Sequence, residues 1–286
     1  MKVAAPAGAV SISEVISSRK GPHIRGYLAF LPIGLQFLVW DIFTWLVIIP
    51  LAWVPHWREP VLRWWMWLGR TTLLWLLRRL GGAQVDIEPR IPCRGGELVL
   101  MNHQSLLDIP VLLAMVPDGY PRVVTNARYA KGIPGVSVML KLYRHMLVKL
   151  GDRSKAQLRA LRNFAATSEH PVAVFPEGHR SRDGELLRWK TAGLKVMLRT
   201  RKWRIHVVVV DGLWESLSMM DFLRNVSNIR CTVQLAAVHE FDPERDDVDA
   251  LISQMEQEMY AKLAAMRGQS PEPQPEGAVD GRETGN

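Results

Sequence analysis

The chain has 286 residues, of which 48% are apolar and 22% are charged, and its formal net charge is +8. This length suffices for one large domain or two small ones, and the composition excludes a chain that is disordered throughout. The only two cysteines, Cys93 and Cys231, are too few for a disulfide framework or a cysteine-ligated metal.

After an N-terminal segment, the first predicted element is an apolar stretch from Tyr27 to Val54. It contains no Lys or Arg and is long enough to cross a bilayer. Asp41 lies in its middle, where a carboxylate is costly unless it is protonated, paired or close to water. The sequence therefore leaves two alternatives, a spanning helix and a re-entrant segment.

A second apolar stretch, from Val61 to Leu80, carries Arg63, Arg70 and Arg78 at intervals of seven and eight residues. At about 100° per residue these arginines share one sector of a helix, opposite a face of Trp and Leu. This pattern predicts a helix in the lipid head-group layer. Eight of the chain's 11 Trp lie in residues 40–75, which favours a membrane-anchoring hairpin over a hairpin packed on a soluble core.

From Ala83 onward, short β-branched runs alternate with helical segments, which predicts an α/β domain with a central mixed sheet. Two of the runs, Val172–Phe175 and Val207–Val210, show no polar alternation, so helices are expected on both faces of the sheet. The predicted strands are 83–87, 97–101, 121–125, 145–149, 172–175, 205–210 and 229–238. The predicted helices are 105–115, 135–143, 154–167, 191–200 and 248–266.

The predicted organisation has four segments: an N-terminal segment (1–26), membrane-anchoring helices (27–80), the α/β domain (81–268) and a disordered tail (269–286) rich in Pro, Glu and Gly. The α/β domain contains most of the positive charge. Residues 121–204 hold 19 Lys and Arg against 5 Asp and Glu. Such a stretch indicates a phosphate-bearing partner, which can be nucleic acid, anionic lipid or a phosphorylated substrate, or else a solvated basic surface.

Two loops of this domain carry the residues of a candidate site. The first follows a predicted strand and places His103 five residues before Asp108. On a regular helix this spacing separates the side chains by about 140°, so they can meet only if His103 lies in the turn before the helix. Asp108 can then accept a hydrogen bond from one imidazole nitrogen and leave the other as a base. The same spacing recurs at His206 and Asp211, where an extended strand directs the side chains to opposite faces.

The second loop, Val174–Arg182, follows another predicted strand. Pro176 and Gly178 favour a sharp turn in it, and Glu177 and Arg180 supply a carboxylate and hydrogen-bond donors. Ligand crevices of α/β sheets form at the carboxyl ends of the strands. We therefore expect the two loops to converge, one with a base and the other with donors for a phosphate.

The motif Asn-His-x4-Asp is followed some 70 residues later by Phe-Pro-Glu-Gly-x-Arg-Ser. This pair of motifs resembles those of the glycerophospholipid acyltransferase family, and within it those of the 1-acylglycerol-3-phosphate acyltransferases. The resemblance implies that His103 is a general base and that Asp108 orients it. It also implies that the second loop binds the phosphate end of the acceptor through Glu177, Gly178 and Arg180.

Three further basic residues are implied by the same resemblance. Lys190 lies in a stretch similar to the Phe-Lys-x-Gly of relatives and is expected in the same pocket. Relatives hold phosphate with an Arg at the end of a middle strand, for which Lys149 and Arg153 are the alternatives in this chain.

The resemblance implies transfer of a fatty acyl group from acyl-CoA or acyl carrier protein to the sn-2 hydroxyl of 1-acylglycerol-3-phosphate, giving phosphatidic acid in phospholipid biosynthesis. It implies a bacterial inner membrane location with the catalytic domain on the cytoplasmic side. No metal, cofactor or nucleic acid is expected, because the thioester is already activated. Glycerol 3-phosphate and another lysolipid, such as lyso-ornithine lipid, are alternative acceptors. A non-enzymatic basic membrane-surface protein is the remaining alternative.

Overall fold

The computed structural model describes residues 24–149, 151, 154–216 and 219–269. Its strands are β1 (Gln84–Ile87), β2 (Glu97–Met101), β3 (Arg122–Asn126), β4 (Met146–Val148), β5 (Val172–Val174), β6 (Trp203–Asp211) and β7 (Arg230–Phe241). Its main helices are α1 (Ile24–Phe43), α2 (Pro55–Leu76), α3 (Asp108–Ala114), α4 (Ser137–Leu142), α5 (Lys155–Thr167), α6 (Thr191–Leu198), α7 (Met219–Asn225) and α8 (Val248–Met266). Single 3-10 turns occupy Ala127–Ala130, Trp214–Ser216 and Val226–Asn228.

Within the described residues, the strands form one mixed sheet of seven, in the order β1-β7-β6-β2-β5-β3-β4. From β6 to β4 neighbouring strands are parallel, whereas β7 is antiparallel to β6 and β1 is parallel to β7. The predicted mixed α/β sheet is thus confirmed. The parallel strands β2 and β5 lie side by side, so the loops that follow them leave the sheet at the same edge.

Helices cover both faces of the sheet, as predicted. Along β2, Leu98 and Leu100 pack on the side of α5, α6 and α8. Val99 and Met101 pack on the opposite side, where α3 and residues of α1 and α2 complete the core. Burial of such a side chain stabilises the fold by about 1.5–3 kcal/mol. These unbroken apolar runs therefore fix the centre of the domain.

Local sequence explains where two of the covering helices begin. The hydroxyl of Ser154 accepts a hydrogen bond from the backbone N–H of Gln157 at the start of α5. The carboxylate of Asp247 accepts from the N–H groups of Asp249 and Ala250 at the start of α8. Both are N-cap arrangements, which satisfy backbone donors that have no partner within the helix. The predicted helices 154–167 and 248–266 are present almost unchanged. By contrast, α7 was not predicted.

The N-terminal helices form a hairpin that packs against the sheet. α1 continues through a π-helical turn to Ala52, and α2 runs back alongside it. The Trp40 and Trp65 rings stack with centroids 3.7 Å apart, and Trp65 Nε1 donates to Thr44 Oγ1 at 3.0 Å. These contacts lock the two helices together. A large apolar surface remains exposed on the hairpin, including Leu28, Leu31, Leu35, Leu38, Trp45, Trp53, Trp57, Trp64, Trp67 and Trp75.

In the described part of the chain, one continuous helix, Ile24–Ala52, is long and apolar enough to cross a membrane, and 17% of its most apolar window is buried. This length permits a span without requiring one, so both alternatives for the first apolar stretch stay open. The proposed division into four segments also stays a prediction. Residues 1–23 and 270–286, which include most of the two predicted terminal segments, lie outside the described residues.

The prediction that the arginine stripe faces lipid head groups is wrong for Arg70, because the protein itself covers this residue. Arg70 is only 7% exposed, and its guanidinium donates to four backbone carbonyls, those of residues 113, 116, 117 and 119, at 2.6–3.2 Å. Arg63 and Arg78 are exposed and donate to the carbonyls of Asp118 and Val85, and a head-group position for these two stays a prediction. The last carbonyls of a helix such as α3 lack partners within the helix. Arg70 supplies a partner to one of them, the carbonyl of Leu113, and to three carbonyls of the loop that follows α3.

Candidate active site

The loop between β2 and α3 brings His103 and Asp108 together. Because α3 begins at Asp108, His103 lies in the turn before it, as their spacing required. His103 Nδ1 and Asp108 Oδ2 are 2.6 Å apart. The imidazole is 17% exposed, and its Nε2 has no hydrogen-bond partner among the described residues. The pair therefore has the geometry of an oriented base with one nitrogen open to a ligand.

Backbone hydrogen bonds hold the Asp108 carboxylate in place. Its Oδ2 also accepts from the N–H groups of Gln104 and Ser105, at 2.6 and 2.9 Å. The side chain is fully buried, and within the described residues Oδ1 has no hydrogen-bond partner. One oxygen thus receives three donors, so the aspartate cannot rotate without losing all of them. This arrangement fixes the direction in which the imidazole points.

The loop after β5 reaches the same place. The His103 and Phe175 rings stack with centroids 4.2 Å apart at an angle of 25°. The N–H of Ser181 donates to the backbone carbonyl of His103 at 2.8 Å. The two predicted loops therefore converge on the histidine from adjacent strands.

Glu177 joins the loops, and this corrects the expectation that it contacts a phosphate. Its Oε1 accepts from the N–H of His103 at 3.1 Å, and its Oε2 accepts from the N–H of Leu187 at 3.2 Å. The residue is 1% exposed. A carboxyl group that is buried and bonded in this way is shielded from an incoming phosphate. Its position is instead determined by backbone donors that would otherwise be unsatisfied.

The pKa of Glu177 reflects its burial. Removal from water raises this pKa, the N–H groups of His103 and Leu187 lower it, and the nearby charge of Asp108 raises it, with a net result of about 8. Near neutral pH this carboxyl group is therefore mostly protonated. In that state it adds no negative charge beside the dyad of His103 and Asp108.

Gly178 and Arg180 lie in this loop, and Lys190 follows it along the chain. Gly178 adopts a left-handed φ of +76°, and a Cβ there would lie 3.0 Å from Lys190 Cδ. The N–H of Lys190 donates to the Pro176 carbonyl at 2.7 Å, and the Lys190 side chain is exposed. Arg180, two residues after Gly178, is half-buried. Arg180 and Lys190 thus form a positive rim on the loop that contacts His103, and the role of this rim in phosphate binding stays a prediction.

The two remaining candidates are not brought to this rim. Lys149 is exposed after β4, the edge strand, which lies two strands away from β5. At about 4.8 Å per strand, this places it roughly 10 Å to the side of the loop that carries Arg180. Arg153 lies outside the described residues. The choice between these two residues stays open.

Three positioning residues were not identified from the sequence. Asn102 exchanges two hydrogen bonds with the backbone of Val210, at 2.7 and 2.8 Å. Gln104 Nε2 donates to Asp211 Oδ1 at 3.1 Å. Arg267, just after α8, donates to both carboxylate oxygens of Asp211. Asn102 and Gln104 could have been recognised because they are polar and flank His103 in the sequence. No local pattern marked Arg267.

The second His-x4-Asp sequence is not a dyad, as predicted. His206 Nε2 lies 2.6 Å from Glu97 Oε2 in the core, and both side chains are buried. Asp211 bonds Arg267 instead, as described above. The five-residue spacing therefore brings the two side chains together only where a turn precedes a helix.

A separate cavity of about 700 Å³ lies between the hairpin and residues 130–142. Its walls include Asp41, Arg58, Lys131 and Lys141 together with apolar side chains of both segments. One carboxylate oxygen of Asp41, Oδ1, is buried there without a hydrogen-bond partner in the described chain. Among the described residues, no group of three or more His, Cys, Asp or Glu is arranged to hold a metal ion.

Comparison with known proteins places this site in context. Residues 83–211 match the family model described as Acyltransferase. A 1-acyl-sn-glycerol-3-phosphate acyltransferase of Cocos nucifera is 27% identical over 186 residues, which are 62% of this chain and 55% of that protein. The chain thus spans about half the length of this relative. The 1-acyl-sn-glycerophosphate (LPA) acyltransferase PlsC of Thermotoga maritima has the same fold, with a TM-score of 0.62 at 20% identity over 87% of this chain and 99% of PlsC.

Proposed function

We propose, on the premise that residues 83–211 form a domain of the acyltransferase family, that the chain transfers a fatty acyl group from a thioester to a hydroxyl of a lysophospholipid. The acceptor we favour is 1-acylglycerol-3-phosphate, acylated at its sn-2 hydroxyl to give phosphatidic acid. The donor is acyl-CoA or acyl carrier protein. The observation that carries the proposal is the partly exposed imidazole of His103, oriented by Asp108 at 2.6 Å beside the loop of Arg180.

In the proposed mechanism, Nε2 of His103 accepts the proton of the acceptor hydroxyl. The resulting alkoxide attacks the thioester carbonyl, the C–S bond breaks, and the proton passes to the departing thiolate. Asp108 stabilises the imidazolium that forms in between. A positioned general base of this kind typically accelerates a reaction by about 10²–10⁴-fold.

The acceptor's phosphate is proposed to lie on the positive rim, where Arg180 and Lys190 donate to it. Guanidinium groups suit phosphate because they can donate two parallel hydrogen bonds. The exposed apolar surface of the hairpin supports a position at the bilayer, from which a lysolipid can enter without leaving the membrane. We further propose a bacterial inner membrane, with this domain on its cytoplasmic side.

An acceptor panel tests the proposal. The purified chain in detergent is given one labelled acyl-CoA and, separately, 1-acylglycerol-3-phosphate, glycerol 3-phosphate or lyso-ornithine lipid. We expect labelled phosphatidic acid with the first acceptor, at a rate at least about tenfold above that of the other two. A site whose polar groups match one acceptor discriminates by at least this factor against molecules that leave those groups unpaired. Labelling of only another acceptor would reassign the substrate, and labelling of none with either acyl-CoA or acyl carrier protein would reject the proposed activity.

The Asp108→Asn variant tests the mechanism. An amide oxygen can still accept from the backbone of Gln104 and Ser105, but the variant lacks the charge that stabilises the imidazolium. We expect kcat to fall by about 100-fold, within the range of positioned acid–base groups, with KM for the acceptor nearly unchanged. The measurement is steady-state transfer to 1-acylglycerol-3-phosphate. An unchanged kcat would show that Asp108 only stabilises the loop, through its backbone hydrogen bonds, and does not assist the base.

A further inference from the structure

A second cluster of reactive side chains lies at the opposite end of the parallel strands from His103. Cys93 precedes β2, Tyr120 precedes β3 and His170 precedes β5, so all three lie at amino ends of parallel strands. His103 follows the carboxyl end of β2. A five-residue strand spans about 16 Å, which makes this cluster independent of the site described above.

The cluster has the order nucleophile, base and orienting carboxylate. Cys93 Sγ lies 3.8 Å from His170 Nδ1, and His170 Nε2 lies 2.8 Å from Oε1 of Glu59 on α2. An N–H at Nε2 can donate to the carboxylate, which leaves Nδ1 to accept the thiol proton. This is the arrangement by which a weak nucleophile is activated by an adjacent base.

The surrounding residues hold the imidazole in this orientation. The Tyr120 ring stacks on His170 with centroids 4.3 Å apart, and its hydroxyl donates to Glu59 at 3.0 Å. His170 is 5% exposed, whereas Cys93 is partly exposed. A Cβ at Gly119 would lie 2.3 Å from Cys93 Sγ, so only glycine leaves room for the thiol there.

The net electrostatic effect of the surroundings lowers the pKa of the Cys93 thiol and raises the pKa of His170. Burial raises the pKa of the Cys93 thiol, but the hydrogen bond with His170, the backbone contact with Tyr120 and the positive charges of His170 and Arg63 together outweigh it, so the pKa lies below the ordinary value. The pKa of His170 is lowered by burial and raised more strongly by Cys93 and Glu59. Among the described residues, Arg122, Tyr120 and Arg70 also face the pair. Cys231 differs, since it is buried and its pKa is raised.

We propose that Cys93 is a nucleophilic thiol that accepts an acyl group from an acyl thioester. His170 takes the thiol proton, the Cys93 sulfur attacks the thioester carbonyl, the bond from that carbonyl to the donor sulfur breaks, and the proton is returned to the donor thiolate. The product is an S-acyl cysteine and a free thiol. The choice of donor rests on the proposed function. The acyl chain is expected to lie along the hairpin, because Glu59 is on α2, whose Trp57 and Trp64 are exposed.

Intact-mass analysis of the full chain incubated with palmitoyl-CoA tests this proposal. We expect one hydroxylamine-labile acyl adduct on the wild type and on Cys231→Ser, and none on Cys93→Ser. Glu59→Gln and His170→Gln should slow adduct formation by at least about tenfold, since each weakens the base. Thermal unfolding of each variant establishes that it is folded, and Glu59, being partly exposed, is the safer of the two substitutions.

The His103→Ala variant separates this proposal from the proposed function, because it should lose lipid acylation and keep the adduct. The proposal is overturned if Cys231→Ser forms no adduct, if Cys93→Ser forms it at the wild-type rate, or if neither Glu59→Gln nor His170→Gln slows it. An adduct without any lipid acylation would leave this inference standing and reject the proposed acceptor reaction instead.

Discussion

The His103→Ala variant is expected to lose acyl transfer to the lysophospholipid by at least about 100-fold, since a positioned general base supplies about 10²–10⁴ in rate. The imidazole bonds Asp108 and stacks on Phe175, so its loss removes the base without removing the backbone contacts that shape the loop. The measurement is kcat for a labelled acyl-CoA with the preferred acceptor from the panel.

The matched control for this prediction is His239→Ala. His239 pairs with Glu258 at 2.7 Å, between β7 and α8, and it takes no part in the proposed reaction. This control should transfer acyl groups at nearly the wild-type rate, and both variants should still bind lipid vesicles, because the exposed surface of the hairpin is unaltered. If His103→Ala lowered kcat by less than about threefold, the loss would be smaller than a positioned base contributes. Another group would then have to be the base.

The Arg70→Ala variant is expected to lower the free energy of unfolding by about 3 kcal/mol or more. Its guanidinium donates to four carbonyls at the end of α3 and in the following loop, and each buried acceptor left without a donor costs about 1–3 kcal/mol. For a chain of this size, such a loss lowers Tm by about 6–12 °C. Thermal unfolding followed by circular dichroism in detergent measures it.

Two substitutions sharpen this test. Arg70→Lys keeps the charge but cannot donate to four separate carbonyls, so its Tm should lie between wild type and Arg70→Ala. Arg79→Ala removes an exposed arginine of the same hairpin and should change Tm by less than about 2 °C. A Tm for Arg70→Ala as high as that of Arg79→Ala would mean that the hairpin and the α/β domain are not joined at this point.

The central sheet and the dyad could be predicted because both depend on local patterns. Unbroken Val runs predict strands with both faces covered, and β6 is such a strand. The five-residue spacing of His103 and Asp108 required a turn followed by a helix start, and α3 begins at Asp108. In each case the deciding interaction lies within a few residues of the pattern that predicts it.

The predictions that failed depend on contacts between distant parts of the chain. Helical periodicity places Arg63, Arg70 and Arg78 on one face, but it does not say whether lipid or protein covers that face. Nor does the sequence show that the Glu177 carboxylate points inward, because its donors belong to residues 103 and 187. Arg267 reaches Asp211 across 56 positions, and no local pattern identifies such a pair.

The link through Glu177 limits how this protein can be recombined with its relatives. The segment that carries the histidine and the segment that carries the arginine-bearing loop share one carboxyl group, whose two oxygens are each assigned to a different backbone N–H. Neither segment can be exchanged by itself without disturbing these hydrogen bonds. In a chimera, acceptor specificity is therefore more readily exchanged by replacing both segments together.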